Sequence, residues 1–315
     1  MKKTRNVSIT TSKFFRKQGN ILEIAITGTS RKNLLILVEK YFREIGQRKF
    51  KLASKKPLFI TTPNPEQLVM VHKDREFKKI IQGSDISLCD GIGLLCAYEF
   101  LQYYNAINKI NTGWKRKVSE SLPMKYIYFI KCFLYILKHG CSSDGMKIIK
   151  GRDFMVDLLK IAEENQFRVF LLGSTDSVLK KTLRKLSLRF PSVHFMTDAG
   201  ARLDSNSVPL NKNQNIIDRK VLVRINKFNP HFLFVAFGAP KQEKWVYRNI
   251  DNLRSDLIMV VGSSFEYIAG TRKRVPVVIE KIGLEWLWRI ITGSQNIRRI
   301  FNAVFKFPLI VAKEA

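Results

Sequence analysis

The order of apolar and amphipathic stretches predicts an α/β fold built on a parallel sheet with helices on both faces. Three observations carry that expectation. Phe232–Phe237 is an unbroken apolar run, the pattern of a strand buried on both faces. Arg168–Leu172 and Leu257–Val261 repeat it, and each ends in a glycine turn, Gly173-Ser174-Thr175 and Gly262-Ser263-Ser264. Stretches with helical spacing separate these runs, as the crossovers of a parallel sheet require.

Taken in order, residues 1–20 read as a loose basic tail. Leu22–Thr27 reads as a strand. Asn33–Phe42 has helical spacing, with Leu34, Leu37, Val38 and Tyr41 on one face. Pro57–Thr61 is a short strand that runs into the turn Thr62-Pro63-Asn64-Pro65. Glu66–Ile81 is read as one helix. Asp85–Leu88 is a strand ending in Cys89-Asp90-Gly91-Ile92-Gly93, and a helix follows to about Tyr103. After Arg168–Leu172 come a helix over Ser177–Phe190, a strand over Val193–Met196 and a helix over Ile216–Ile225. Phe232–Phe237 is then stopped by Gly238 and Pro240, and a helix begins at Lys241.

Two stretches break this rhythm. Within Asn105–Lys150, Leu122–Leu137 is apolar and aromatic but shorter than the roughly 20 residues a spanning helix needs. Lys131 and Lys138 share one helical stripe and Lys125 lies off it. That suits a helix in a membrane interface, with a buried helix or an oligomer contact as the alternative. The tail Gly283–Ala315 interleaves Trp286, Trp288, Phe301, Phe305 and Phe307 with Arg289, Arg298, Arg299 and Lys306. A lipid interface, single-stranded nucleic acid and plain helix packing all fit that mixture.

The chain has 315 residues, is 45% hydrophobic and carries a net charge of +29, which excludes a disordered chain and points to anionic partners. Cys89, Cys96, Cys132 and Cys141 form no C-x-x-C pair, and free thiols in a reducing compartment are expected. No apolar segment follows the basic start as in a secretion signal. There is no G-x-G-x-x-G after a strand, no phosphate-binding G-x-x-x-x-G-K-[ST] and no G-x-S-x-G elbow. No Asp-x-Asp occurs, so a metal held by paired aspartates is not indicated. His72, His139, His194 and His231 show no ligand spacing. A basic nucleic-acid-binding protein stays open on charge alone, without an RRM, KH or helix-turn-helix signature.

What remains is a set of polar turns at predicted strand ends: Thr62 and Asn64, Asp90 with Gly91 and Gly93, Gly173-Ser174-Thr175, and Gly238 through Glu243. A parallel sheet brings such turns to one edge, where open α/β sheets bind ligands. The helix start at Lys241 offers free N–H groups and a cation to an anion. Asp90 is placed to act as a base or as a helix N-cap.

Thr62-Pro63-Asn64-Pro65-Glu66, Asp85…Asp90-Gly91-Ile92-Gly93, Gly151-Arg152-Asp153, Phe170-Leu171-Leu172-Gly173, Phe237-Gly238-Ala239-Pro240-Lys241-Gln242-Glu243, Ala269-Gly270…Arg274-Val275-Pro276 and Gly283-Leu284-Glu285-Trp286…Arg289 occur in this order. Together they resemble the WecG/TagA/CpsF glycosyltransferases, glycosyltransferase family 26, over about residues 55–103 and 148–300. The resemblance implies a Rossmann-like core with a helical, membrane-associating C-terminal appendage. It implies inverting transfer of N-acetylmannosamine, or its uronic acid, from a UDP-sugar to an undecaprenyl-diphosphate-linked N-acetylglucosamine, with no metal or other cofactor, in cell-surface polysaccharide synthesis. A different UDP-hexose and acceptor on the same fold is the alternative. The implied partners are the UDP-sugar, the lipid-linked acceptor, the membrane surface and a second copy of the chain, with no specific nucleic acid. The implied place is the inner face of the cell membrane.

Matched residue by residue, Asp90 takes the position of the proposed base. Thr62, Asn64, Gly91, Gly173, Gly238, Lys241 and Gln242 line the substrate pocket, with Gln242 facing substrate. Arg289, Arg298 and Arg299 fall in the appendage, whose arginines are thought to close over the diphosphate. The chain departs from the family pattern at Ile148, where Arg is usual, at Glu266, where Asp is commoner, and around Gln295-Asn296, where Glu-Pro is usual. The link from Asp90 to Gly151 is also longer. The expected divisions are the tail 1–20, a core of 21–104 and 148–282, an apolar and basic insert 105–147, and the appendage 283–315.

Overall fold

The computed structural model describes residues 19–47, 56–110, 120–139, 146–276, 278–279, 284–293 and 296–315. The basic tail up to residue 18, and Cys141, lie outside these residues. Strands β3 (Leu58–Thr61), β4 (Ile86–Ser87), β5 (Arg168–Gly173), β6 (His194–Asp198), β7 (Phe232–Ala236) and β8 (Leu257–Val260) form one six-stranded sheet. Its order is β4-β3-β8-β7-β5-β6, and every neighbouring pair is parallel. The predicted α/β class is the observed one.

The central strands β7 and β8 are apolar at every position, and β3 and β5 are apolar through their middles, because both faces are covered. Leu58, Ile60, Leu171, Phe234 and Met259 point to one side, where they pack with Leu34 and Val38 of α1 (Arg31–Gln47) and Phe154 and Leu158 of α6 (Gly151–Glu164). Phe59, Phe170, Leu172, Val235 and Ile258 point to the other, against Val221 and Ile225 of α8 (Lys212–Phe228) and Trp245 of α9 (Lys241–Asn249). Each fully buried side chain of this size contributes roughly 1.5–3 kcal/mol of transfer free energy. Strand β6 is one edge, and its residues are half-buried or exposed.

The first expected strand is a hairpin instead. β1 (Gly19–Ile21) and β2 (Ile24–Ile26) pair antiparallel around Leu22 and Glu23, both at positive φ. Neither residue type signals such a turn, which is why the sequence reads as one run. Thr27 then forms a parallel bridge to Leu88, just past β4. The helix expected over Glu66–Ile81 is two, α2 (Pro65–Lys73) and α3 (Arg75–Gln82). Asp74 divides them: it ends α2, and its carboxylate accepts from Phe77 N at 2.9 Å as the N-cap of α3.

Helix α4 (Ile92–Ile110) continues past the expected end near Tyr103, across the expected 104/105 division. The insert forms α5 (Leu122–His139), which packs on α4 with the Phe100 and Phe129 rings 5.6 Å apart. The remaining helices are α7 (Asp176–Arg189), α10 (Ser264–Ala269), α11 (Glu285–Ile291), α12 (Ile297–Phe301) and α13 (Phe307–Glu314), with a π-helical stretch over Asn302–Lys306. Phe307 and Val311 of α13 are buried with Phe129 and Ile136 of α5 and Ile21 and Ile26 of the hairpin, so insert and C-terminal helix share one core. No described helix is long and apolar enough to cross a membrane.

Candidate active site

The carboxyl ends of β3, β4, β5, β7 and β8 open onto one edge of the sheet. Glycines permit the turns there. Gly173 (φ +101°) lies so close to β7 that a Cβ would meet the Ala236 carbonyl carbon at 2.8 Å. Gly91 (φ +117°) and Gly238 (φ +77°) have nothing within 4 Å of that position, so both leave open space. Gly151 starts α6 against Thr62, where a Cβ would come within 2.7 Å of Thr62 Cγ2. Thr62 is thereby pinned at the edge and is buried.

Asp90 follows β4 in this edge and is half-buried. Its carboxylate accepts no hydrogen bond among the described residues, so the N-cap alternative does not describe it. Burial pushes it up to about 6, Glu285 adds to the rise, and Arg289, Lys150 and Arg152 oppose it. These charges form a frame. Glu285 of α11 receives Lys150 Nζ at 2.7 Å on one oxygen and Arg289 at 3.1 Å on the other. Lys150 stands immediately before α6, so this frame seats α11 at the sheet edge.

A second network lies beneath the turns. Asn64 caps α2: its Oδ1 accepts from Gln67 N at 3.0 Å, and Gln67 Oε1 accepts from Asn64 N at 3.2 Å. The Gln67 amide donates to Glu243 at 3.3 Å, and the Gln242 amide donates to the same oxygen at 2.9 Å. Gln242 Oε1 accepts from Gly238 N at 3.2 Å and Gly262 N at 3.1 Å. The network therefore ties the turns after β3, β7 and β8 together. Glu243 is fully buried, its second oxygen has no partner among the described residues, and burial raises it to about 7 against the Gln242 hydrogen bond.

The expectation that Gln242 faces substrate is corrected here. The side chain is buried and its amide braces backbone and Glu243, since a buried amide must satisfy both ends. Asn64 likewise spends its carbonyl on the helix cap. Lys241 reaches toward Leu203 O at 3.5 Å, and among the described residues no hydrogen bond or ion pair ties it to Asp90. The appendage arginines diverge. Arg289 joins the Asp90 frame. Arg299 Nε pairs with the buried Glu66 at 2.6 Å, beside the Asn64 turn. Arg298 is exposed, and with Lys73 it holds Lys306 below the usual lysine range, Lys73 having the larger effect.

The sequence reading gave no site role to Lys150, Arg152, Glu66 or Gln67. Glu285 and Arg289 are spaced as an i,i+4 pair, which was a usable signal. Glu266 is another. It donates nothing and accepts from Ser174 at 2.7 Å, while its second oxygen has no partner among the described residues. With Thr271, Arg272, Lys273 and Thr292 it lines a cleft of about 410 Å³ between core and appendage. The Arg152 and Arg272 guanidiniums both lie over the neighbouring Tyr267 ring, at 5.3 and 5.5 Å. Among the described residues no group of His, Cys, Asp and Glu is placed to hold a metal ion.

The model of the Glycosyl transferase WecG/TagA/CpsF family matches residues 20–112 and 138–315, leaving out 113–137. Two similar curated proteins, from Staphylococcus aureus strains NCTC 8325 / PS 47 and COL, are N-acetylglucosaminyldiphosphoundecaprenol N-acetyl-beta-D-mannosaminyltransferases. Each is 26% identical over 257 residues, covering 81% of this chain and 81% of the relative. A match over most of the chain, with its motifs converging on one sheet edge, makes this protein a glycosyltransferase that belongs to the WecG/TagA/CpsF family.

Proposed function

We propose that the protein is an inverting transferase that moves N-acetylmannosamine, or its uronic acid, from a UDP-sugar to an N-acetylglucosamine carried on undecaprenyl diphosphate. It works on the inner face of the cell membrane in cell-surface polysaccharide synthesis. The observation that carries this reading is Asp90: a carboxylate without a hydrogen bond among the described residues, at a strand end, with Lys150, Arg152 and Arg289 in electrostatic reach. The relatives' names supply the sugar and the lipid-linked acceptor.

The chemistry follows from that arrangement. The acceptor hydroxyl oxygen attacks the anomeric carbon from the face opposite the leaving group, and Asp90 takes its proton. The bond from the anomeric carbon to the diphosphate breaks, and UDP leaves with the electron pair. Cations at the developing charge stabilise the transition state, the part we assign to Arg289, Lys150 and Arg152. The cleft beside Glu266 suits the nucleoside end of the donor, because Thr271, Arg272, Lys273 and Thr292 line it with hydroxyls and cations.

Asp90 must be ionised to accept a proton. With its carboxyl raised to about 6, kcat/KM is expected to rise with pH through that value and level off above it. Asp90→Asn should lower kcat by about 10²–10⁴-fold and leave the far-UV spectrum and the unfolding midpoint close to those of the parent. Unchanged turnover in a folded Asp90→Asn variant would remove the base assignment.

A further inference from the structure

We infer that the outer face of the insert helix α5 is a docking surface for a bilayer carrying anionic phospholipid. The helix is apolar on two opposite sides. Phe129 and Ile136 are 5% and 6% exposed and pack inward, toward α4 and α13. On the outward side Ile127, Ile130 and Leu134 are 42%, 43% and 56% exposed. A helix that is hydrophobic all round is one whose second side is covered in use.

Charge identifies what covers it. Lys131 and Lys138 are exposed on the same outward stripe, beside Tyr135. Lysines and a tyrosine edging an apolar strip are the composition of a helix lying in a lipid interface, with ammonium groups at the headgroups. Lys125 belongs to the inward side, 5.0 Å above the Tyr104 ring. A second copy of the chain fits less well: stacking this face on itself would bring like charges together in a chain of net charge +29. The helix is 18 residues long and no described helix qualifies as a span, so it lies along the surface. Residues 113–137 fall outside the family match, so all of this face but Lys138 is an addition of this chain to the family's framework.

The proposal deepens the membrane reading above and rests on it for the presence of lipid. Its test is co-sedimentation of the full chain with vesicles of phosphatidylcholine, with and without phosphatidylglycerol. The triple variant Ile127→Ser, Ile130→Ser, Leu134→Ser should weaken binding at least about tenfold. Lys131→Glu with Lys138→Glu should lose affinity for the anionic vesicles, by about fivefold or more per lysine, and bind pure phosphatidylcholine as the parent does. Both variants should fold and should keep transfer to a short-chain, water-soluble acceptor. Binding by the triple variant within about twofold of the parent overturns the proposal. So does a parent dimer that the triple variant turns into a monomer while vesicle binding persists. Loss of vesicle binding in the variants, combined with no transfer by any protein, upholds the docking face and sinks the transferase reading.

Discussion

Glu243 shows how one buried residue can help tie strand-end turns together. Two amides from different helices converge on one of its oxygens, and the helix bearing one of them is capped by Asn64. Burial raises its pKa to about 7, so the folded state holds a proton that the unfolded chain releases in the ordinary carboxylate range. Its contribution is therefore fully present below the unfolded value and is lost as pH rises through about 7. The loss is on the order of 1–3 kcal/mol. Glu243→Gln keeps an acceptor for the amides and cannot ionise. Urea unfolding at about pH 5 and about pH 8 should show a smaller stability difference in the variant than in the parent. Equal differences would mean that Glu243 does not titrate in this range. In the sequence Glu243 stood only as the end of the Gly238–Glu243 turn, because a glutamate in the first turn of a helix is usually a solvated cap. Only the tertiary fold, which brings Gln67 across from another helix, makes it a buried one. The same gap explains Gln242: its motif marked it as important, and the backbone groups it braces belong to distant turns.

Among elements, those with a strong local signal were legible. Strands β3, β5, β7 and β8 read as apolar runs because the sheet is covered twice. The division of α2 from α3 was not, since Asp74 fits the polar face of a continuous helix as well as it fits a cap. The appendage was legible as basic and aromatic, but its arginines are told apart only by their partners. That gives a graded expectation. Arg289→Ala should lower transfer by about tenfold or more, as loss of a cation at the leaving group does. Arg299→Ala should cost about 1 kcal/mol in urea unfolding, a modest value because Arg299 is half exposed although Glu66 is buried. Arg298→Ala should leave stability unchanged or slightly raised, because it removes a like charge from the Lys73 and Lys306 cluster. Equal effects from all three would contradict the frame drawn around Asp90 and Glu285.

At the scale of the whole molecule, family and fold class were legible because motifs scattered along the chain share one structural edge. Asp90, Gly91, Gly173 and Gly238 all sit at the carboxyl ends of parallel strands or in the turns just after them. The identity of the sugar was not legible, since selectivity between hexoses depends on contacts that no single motif encodes. The positive charge that first suggested nucleic acid accords equally with the anionic donor and the anionic bilayer proposed above. The most direct measurement is product analysis of a reaction containing the protein, UDP-N-acetylmannosamine and a short-chain polyprenyl-diphosphate-N-acetylglucosamine. A β-linked disaccharide on the lipid carrier, formed by the parent and not by Asp90→Asn, is the expected result. Retention of the donor's anomeric configuration, or no product with any UDP-sugar, would contradict it.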